Sequence, residues 1–154
     1  MKIKIIRVAK GGSKWADQAV EQWMRRIQNR LPTEEIRIKP SPDRGSIEQR
    51  RKEESRRVLN LVQPGDRLVV LDERGVDIST EELSDWLQNS MNSSTKRILF
   101  AIGGPFGHDP EIRTKAWKTL RLSSMVLNHE LARVILVEQI YRAYTLIWGG
   151  SYHH

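Results

Sequence analysis

Hydrophobic and polar positions divide this chain into a regular alternation of strand and helix patterns. Residues 2–9 (KIKIIRVA) are a β-branched run with partial alternation, which predicts a strand. Gly11, Gly12 and Ser13 break it, and Ser13 is placed to cap a helix whose Ala16, Ala19, Val20, Trp23 and Ile27 share one face. Residues 34–39 (EEIRIK) predict a short strand, and the Pro/Gly stretch 39–45 a loop. Ser46 with Gln49 makes a capping box for a polar helix running to about Val62. After Pro64-Gly65-Asp66, residues 67–72 (RLVVLD) predict a strand. Ser79 with Glu82 is a second capping box, ahead of a helix with Leu83, Trp86, Leu87 and Met91 as its buried stripe. Residues 97–104 (RILFAIGG) are a continuous apolar run ending in glycine, the pattern of a strand covered on both faces. Asp109-Pro110 opens a short helix, residues 119–127 (TLRLSSMVL) predict a last strand or extended segment, and a long helix follows from about Glu130 to Trp148. The alternation implies a single α/β domain with a largely parallel sheet flanked by helices.

The last helix is apolar on two stripes: Val134, Val137, Tyr141, Tyr144 and Trp148 on one, Leu136, Ile140, Ala143 and Ile147 on the other. A helix covering a sheet with one face is polar on the other. The surplus predicts a homodimer packed partly through this helix; the alternative is a helix sunk within its own monomer.

A length of 154 residues suits one domain and needs no staples. The absence of cysteine excludes disulfide frameworks, thiolate nucleophiles, zinc fingers and iron–sulfur sites. No apolar run approaches the roughly 20 residues of a membrane span, and MKIKIIRVAK lacks the layout of a signal peptide. No membrane partner is expected. A cytoplasmic location is, with a plastid or another organelle as the alternative if a transit peptide preceded Met1.

The net charge is +7, and residues 1–66 carry all of the excess, notably at Arg25, Arg26, Arg30, Arg50, Arg51, Lys52, Arg56 and Arg57. A solvated helix face accounts for such a run; a surface facing a polyanion accounts for its one-sidedness as well. With a pI near 10.0, nucleic-acid binding is the expectation.

Several chemistries leave no trace: there is no P-loop, no G-x-G-x-x-G, no G-x-S-x-G elbow and no H-E-x-x-H, so no metal is expected. Two features remain. The first is the glycine loop Ile102-Gly103-Gly104-Pro105-Phe106-Gly107, at the carboxyl end of a buried strand, where parallel sheets open their ligand crevice. Read alone, it is also an ordinary tight loop. The second is Leu122-Ser123-Ser124-Met125-Val126-Leu127, followed by Asn128, His129 and, one helical turn on, Arg133. Two cations there suit an anionic partner, and a solvated helix start explains them nearly as well.

The sequence IGGP-x-G (102–107), L-S-x-x-x-L (122–127), H-x-x-x-R (129–133), V-E-Q-x-Y-R-A (137–143) and the terminal Tyr-His resembles the ribosomal RNA large-subunit methyltransferase H family. The similarity is colinear over essentially the whole chain and includes E-Q-W-M-R-R-I (21–27) and LDERG (71–75). The resemblance implies a SPOUT-class trefoil-knotted enzyme, with residues 67–154 as the knot and cofactor part behind the basic front half 1–66. It implies a homodimer that methylates N3 of a pseudouridine in large-subunit ribosomal RNA, alone or in the assembled ribosome, using S-adenosylmethionine. It assigns Leu71, Gly103, Gly104 and the segment Leu122, Ser123, Ser124, Met125, Val126 and Leu127 to the cofactor pocket. Arg25, Arg26, Arg50 and Arg51 are the candidate RNA contacts. The family commonly has proline where this chain has Asn128, and Lys or Arg where it has His154.

Methyl transfer to an imide nitrogen is an in-line displacement that needs alignment, loss of the N–H proton and support for the anion. His129, Arg133, Arg142, Tyr152 and His153 are the candidates, with His153 for proton transfer and Arg142 as an electrostatic clamp. Structural alternatives are pairing of Arg133 and Arg142 with Glu130 and Glu138 along the helix, and packing of the tail by Tyr152. The rival functions are a non-catalytic RNA- or ribosome-binding α/β protein and a small nucleotide-binding α/β regulator.

Overall fold

The computed structural model describes residues 1–150. In chain order the elements are β1 (Lys2–Val8), α1 (Lys14–Ile27), β2 (Thr33–Ile38), α2 (Ile47–Leu59), β3 (Asp66–Asp77), α3 (Thr80–Asn92), β4 (Arg97–Ile102), α4 (Pro110–Lys115), β5 (Lys118–Arg121) and α5 (His129–Ile147). The strands form one sheet in the order β2-β1-β4-β3-β5, parallel at every pairing. The expected parallel α/β architecture is present.

The pleat sends alternate side chains to two cores. Ile3, Ile5, Val69, Ile98 and Phe100 meet Val20 and Ile27 of α1, Leu83 and Leu87 of α3, and Leu136 and Ile140 of α5. Ile6, Val8, Leu68, Val70, Leu99 and Ala101 meet Val58 of α2 and Ile112 of α4 on the opposite face. The central strand β4 is buried from Ile98 to Ile102 because helices cover it on both sides.

Helix starts follow their local chemistry. Both capping boxes form: Ser46 and Gln49 exchange bonds of 3.0 and 3.1 Å, Ser79 and Glu82 bonds of 2.7 and 3.2 Å. Asp109 caps α4, with Pro110 at its first position. Ser13 departs from expectation. It occupies the N-cap of α1 with extended backbone, yet its hydroxyl caps nothing and is buried without a hydrogen-bond partner.

Two strands differ most from their predicted extents. β3 runs on to Asp77 because Leu71 and Val76 both pair with Leu120 of β5, so residues 72–75 bulge out between them. Gly75 makes the bulge possible: a Cβ there would lie 2.6–2.7 Å from the backbone of Leu120 and Arg121. β5 stops at Arg121. It is an edge strand, and the next residues turn on themselves where the Met125 N–H donates to Ser123 Oγ at 3.0 Å.

α5 packs beside α1 and α3. Leu136, Ile140 and Ala143 of one stripe and Val137 of the other are fully buried, so the first stripe and part of the second belong to the monomer core. Val134, Tyr141 and Tyr144 are half-buried and Trp148 is 39% exposed. These aromatics form a ladder with Trp23, whose successive ring centroids from Trp23 through Tyr141 and Tyr144 to Trp148 are 5.3, 6.3 and 4.6 Å apart.

Candidate active site

The register of β3, β4 and β5 brings Leu71, Ile102 and Leu120 side by side at the carboxyl end of the sheet. The chain leaves each strand there into a loop: the bulge 72–75, the glycine loop 103–108, and residues 122–128 before α5. Between them lies a cavity of about 670 Å³, well inside the range of small-molecule sites. Its floor is aliphatic, from Leu71, Ile102, Leu120, Leu122, Leu127 and Ala132. Polar and charged residues line it as well: Arg51, Asp72, Glu73, Arg74, Arg121 and His129.

The glycine loop is folded tightly on itself. The Gly107 N–H donates to the Gly104 carbonyl at 2.9 Å, and Gly107 adopts a positive φ of 71° that disfavours a side chain. A Cβ on Gly103 would sit 3.0–3.2 Å from the Gly107 backbone and the His108 ring. The loop is also fastened to α2. The Asp109 N–H donates to Ser55 Oγ at 2.9 Å, and the Arg50 guanidinium stacks 4.9 Å above the Phe106 ring.

His108 pins the loop from beneath. It is buried, with Nε2 3.1 Å from the Ala101 carbonyl, a partner that requires the proton on Nε2. Burial lowers its pKa, against the opposing pull of the Ala101 carbonyl and Asp72, so the ring is held neutral. A histidine whose folded pKa is depressed stabilises the fold fully above its unfolded pKa of about 6.5, and loses that contribution as pH falls and the unfolded chain takes up the proton. Wild-type stability should therefore decline between pH 6.5 and 5 by up to about 1.4 kcal/mol per pH unit from this group. In His108→Gln, which keeps an N–H donor for Ala101, urea midpoints measured across that interval should show a shallower decline. An unchanged slope would remove His108 as its source.

Asp72 is nearly sealed where β3 enters its bulge, held by Arg113 Nη1 at 2.9 Å, while its Oδ1 accepts the Arg74 N–H at 3.0 Å. Arg121 forms a two-point pair with Asp77.

The sequence-predicted pocket residues converge. Leu71, Gly103, Gly104, Leu122, Ser123, Met125, Val126 and Leu127 all line the cavity; Ser124, within the same loop, does not. Met125 and Val126 are 73% and 90% exposed, apolar side chains standing open at the cavity rim.

The proposed catalytic neighbourhood is not brought together within the described residues. His129 lines the cavity, with Nε2 3.6 Å from Glu130 Oε1. Arg133, one turn later, is buried away from the cavity in a cluster with Asp17, Glu35, Glu130 and Arg7. Its Nη1 donates to Asp17 at 2.6 Å and to Glu130 at 3.1 Å, and its Nη2 to Glu35 at 2.6 Å. Despite burial, Glu35 and Asp17 raise its pKa and keep it a cation. Arg142 pairs with Glu138 at 2.7 Å and lies thirteen residues from His129, about 20 Å along the helix axis. For both arginines the pairing along the helix is the arrangement present. Tyr152 and His153 lie outside the described residues.

The four candidate RNA contacts fall on opposite sides of the sheet. Arg25 pairs with Glu21, and Arg26 stacks over Trp23 at 4.8 Å, both on α1. Arg50 and Arg51 are on α2, and Arg51 reaches the cavity. Sequence reasoning missed Asp72, Glu73, Arg74, His108 and Arg121 as cavity residues. LDERG was visible as a motif, but its bulge depends on the pairing with β5. Among the described residues no group of histidine, aspartate and glutamate is arranged to hold a metal, and no helix is long and apolar enough to cross a membrane.

The family model described as "Predicted SPOUT methyltransferase" matches residues 1–153. The chain belongs to the SPOUT methyltransferase family. It is 36% identical to the ribosomal RNA large subunit methyltransferase H of Geobacter sp. (strain M21), over all of this chain and 99% of the relative. The proteins of that name from Geotalea daltonii and Porphyromonas gingivalis are 34% and 37% identical, covering this chain completely and 100% and 99% of theirs. Membership makes this chain a methyltransferase, and the knotted SPOUT passage is what the family implies for the chain path.

Proposed function

We propose that this SPOUT methyltransferase binds S-adenosylmethionine in the cavity at the ends of β3, β4 and β5 and methylates N3 of a pseudouridine in large-subunit ribosomal RNA. The observation that carries the reading is the convergence of Leu71, Gly103, Leu122, Ser123, Met125, Val126 and Leu127 on one cavity of about 670 Å³. The names of the full-length relatives supply the substrate class.

The cavity suits the donor chemically. Its aliphatic floor fits an adenosine ring system, and the glycine loop with residues 122, 123 and 125–127 lines its walls. The bound donor supplies an electrophilic methyl group on a sulfonium. The protein's task is to align it with the attacking nitrogen, where orientation is worth about 7–11 kcal/mol. His129 stands at the cavity with Glu130 beside it, a position from which an imidazole can hold or pass a proton at Nε2.

The RNA surface in this reading is the basic front half, with Arg50 of α2 stacked over Phe106 of the glycine loop beside the cavity. The same reading includes a homodimer. The half-buried Val134, Tyr141 and Tyr144, with Trp148, 44%-exposed Leu131 and the Trp23 ladder, leave α5 an apolar face that a second copy would cover. Light scattering across the micromolar range is expected to return twice the 17.9 kDa chain mass; a monomer mass throughout would remove the dimer.

The decisive experiment incubates the purified protein and S-adenosylmethionine with ribosomes lacking the modification and maps methylated nucleosides by mass. One methyl group on a large-subunit pseudouridine is expected. Ribosomes bound without methyl incorporation would favour the non-catalytic reading.

A further inference from the structure

Arg51 stands apart from the other cavity arginines. Arg74 lies 3.7 Å from Asp72 and 3.5 Å from Glu73, and Arg121 is taken by Asp77. Arg50, its neighbour, is bound to Asp43 at 2.7 Å and stacked on Phe106. Among the described residues no carboxylate pairs with Arg51, and its Nε is closed off from water without a hydrogen-bond partner. A guanidinium donor in that state carries an uncompensated desolvation cost, which an anion in the cavity would offset.

The position of Arg51 follows from how α2 docks. Ser55 receives the Asp109 N–H, and a Cβ on Gly104 would meet Glu54 Oε2 at 3.3 Å, so this part of α2 lies against the glycine loop. Arg51 is one turn before Ser55 and shares that face. The loop and the arginine are thereby held in one frame.

The rest of the lining selects the kind of anion. Asp72 and Glu73 border the same cavity. Asp72 is paired with Arg113 and both carboxylates lie near Arg74, yet their oxygens remain acceptors for an ammonium, which suits a zwitterion whose other end, a carboxylate, meets an arginine.

We propose that Arg51 is the carboxylate-binding residue of the cavity, pairing with the amino-acid end of the methyl donor. This rests on the S-adenosylmethionine reading above and adds to it the group that recognises the donor's charged tail.

The test uses two probes that differ by one carboxylate, S-adenosylmethionine and its decarboxylated form, titrated calorimetrically into the full-length protein. Wild type is expected to prefer the carboxylated probe by about tenfold or more, in keeping with a charge-assisted pair. Arg51→Gln should lose that preference by weakening the carboxylated probe alone. Arg51→Lys, which keeps the charge, should retain part of it. The subsite is overturned if Arg51→Gln keeps the wild-type preference, or weakens both probes equally. It is likewise overturned if Arg51→Gln leaves both affinities unchanged while RNA affinity falls, which would assign the arginine to a phosphate. A wild type that binds neither probe would instead remove the donor reading itself.

Discussion

Gly103→Val is expected to weaken S-adenosylmethionine binding by about a hundredfold, a loss of ~2.7 kcal/mol, and to stop detectable methyl transfer. The cause is steric and local. A Cβ at this position meets Gly107 C and Cα at 3.0 and 3.1 Å and the His108 ring at 3.2 Å. Two of those atoms are backbone, and the third belongs to a buried ring tied to Ala101, so none yields as a flexible side chain would. The added methyls of valine must therefore move the loop, and with it one wall of the cavity. Overpacking of this kind costs about 1–3 kcal/mol of stability, which leaves a folded protein with a misshapen site. Calorimetry of donor binding, alongside a urea denaturation curve, separates the two effects. Affinity within threefold of wild type would show that the loop does not form the donor's wall.

The second large effect is on folding. Arg133→Met is expected to lower the unfolding free energy by about 3–5 kcal/mol, read from urea denaturation at pH 7. Arg133 and Arg7 together face Asp17, Glu35 and Glu130, so the cluster already has one more carboxylate than cation. Glu35 and Glu130 are largely buried, and methionine replaces the bulk of the arginine stem without its charge. What remains is three carboxylates against one guanidinium, and breaking a buried pair from one side is far costlier than never having formed it. Adding Glu35→Gln should restore more than half of the loss, because it leaves two carboxylates rather than three against the one remaining guanidinium, Arg7. A single variant within 1 kcal/mol of wild type would mean that water solvates the cluster well enough to make the pairs dispensable. The cluster joins β1, β2, α1 and the start of α5, so it also fixes the helix end that carries His129 to the cavity. That is the contribution the structure gives to Arg133, in place of a position beside the reacting atoms.

Much of this protein is legible along the chain. The strand and helix order, the parallel sheet, both capping boxes and the double-sided burial of β4 follow from nearest-neighbour chemistry: side-chain periodicity, cap residues three apart, and breakers between runs. The glycine loop and the 122–127 segment were recognisable as a pair through their family resemblance, and their place at strand ends followed from the rules of parallel sheets. Ser13 shows the boundary of such reasoning. Its type and place are those of a cap, yet its hydroxyl is left without a partner, while Asp17 in the same turn is engaged with Arg133.

What only the tertiary structure decided is which charges meet. His129 and Arg133 are one turn apart and look alike in sequence, but one borders the cavity and the other is buried among carboxylates from strands and helices up to 116 residues away. Arg50 and Arg51 are adjacent, and one is held by Asp43 and Phe106 while the other faces the cavity. Local pattern records the intrinsic preference of a residue. The partner of an arginine depends on which strands lie side by side, and that information resides in the register of the sheet.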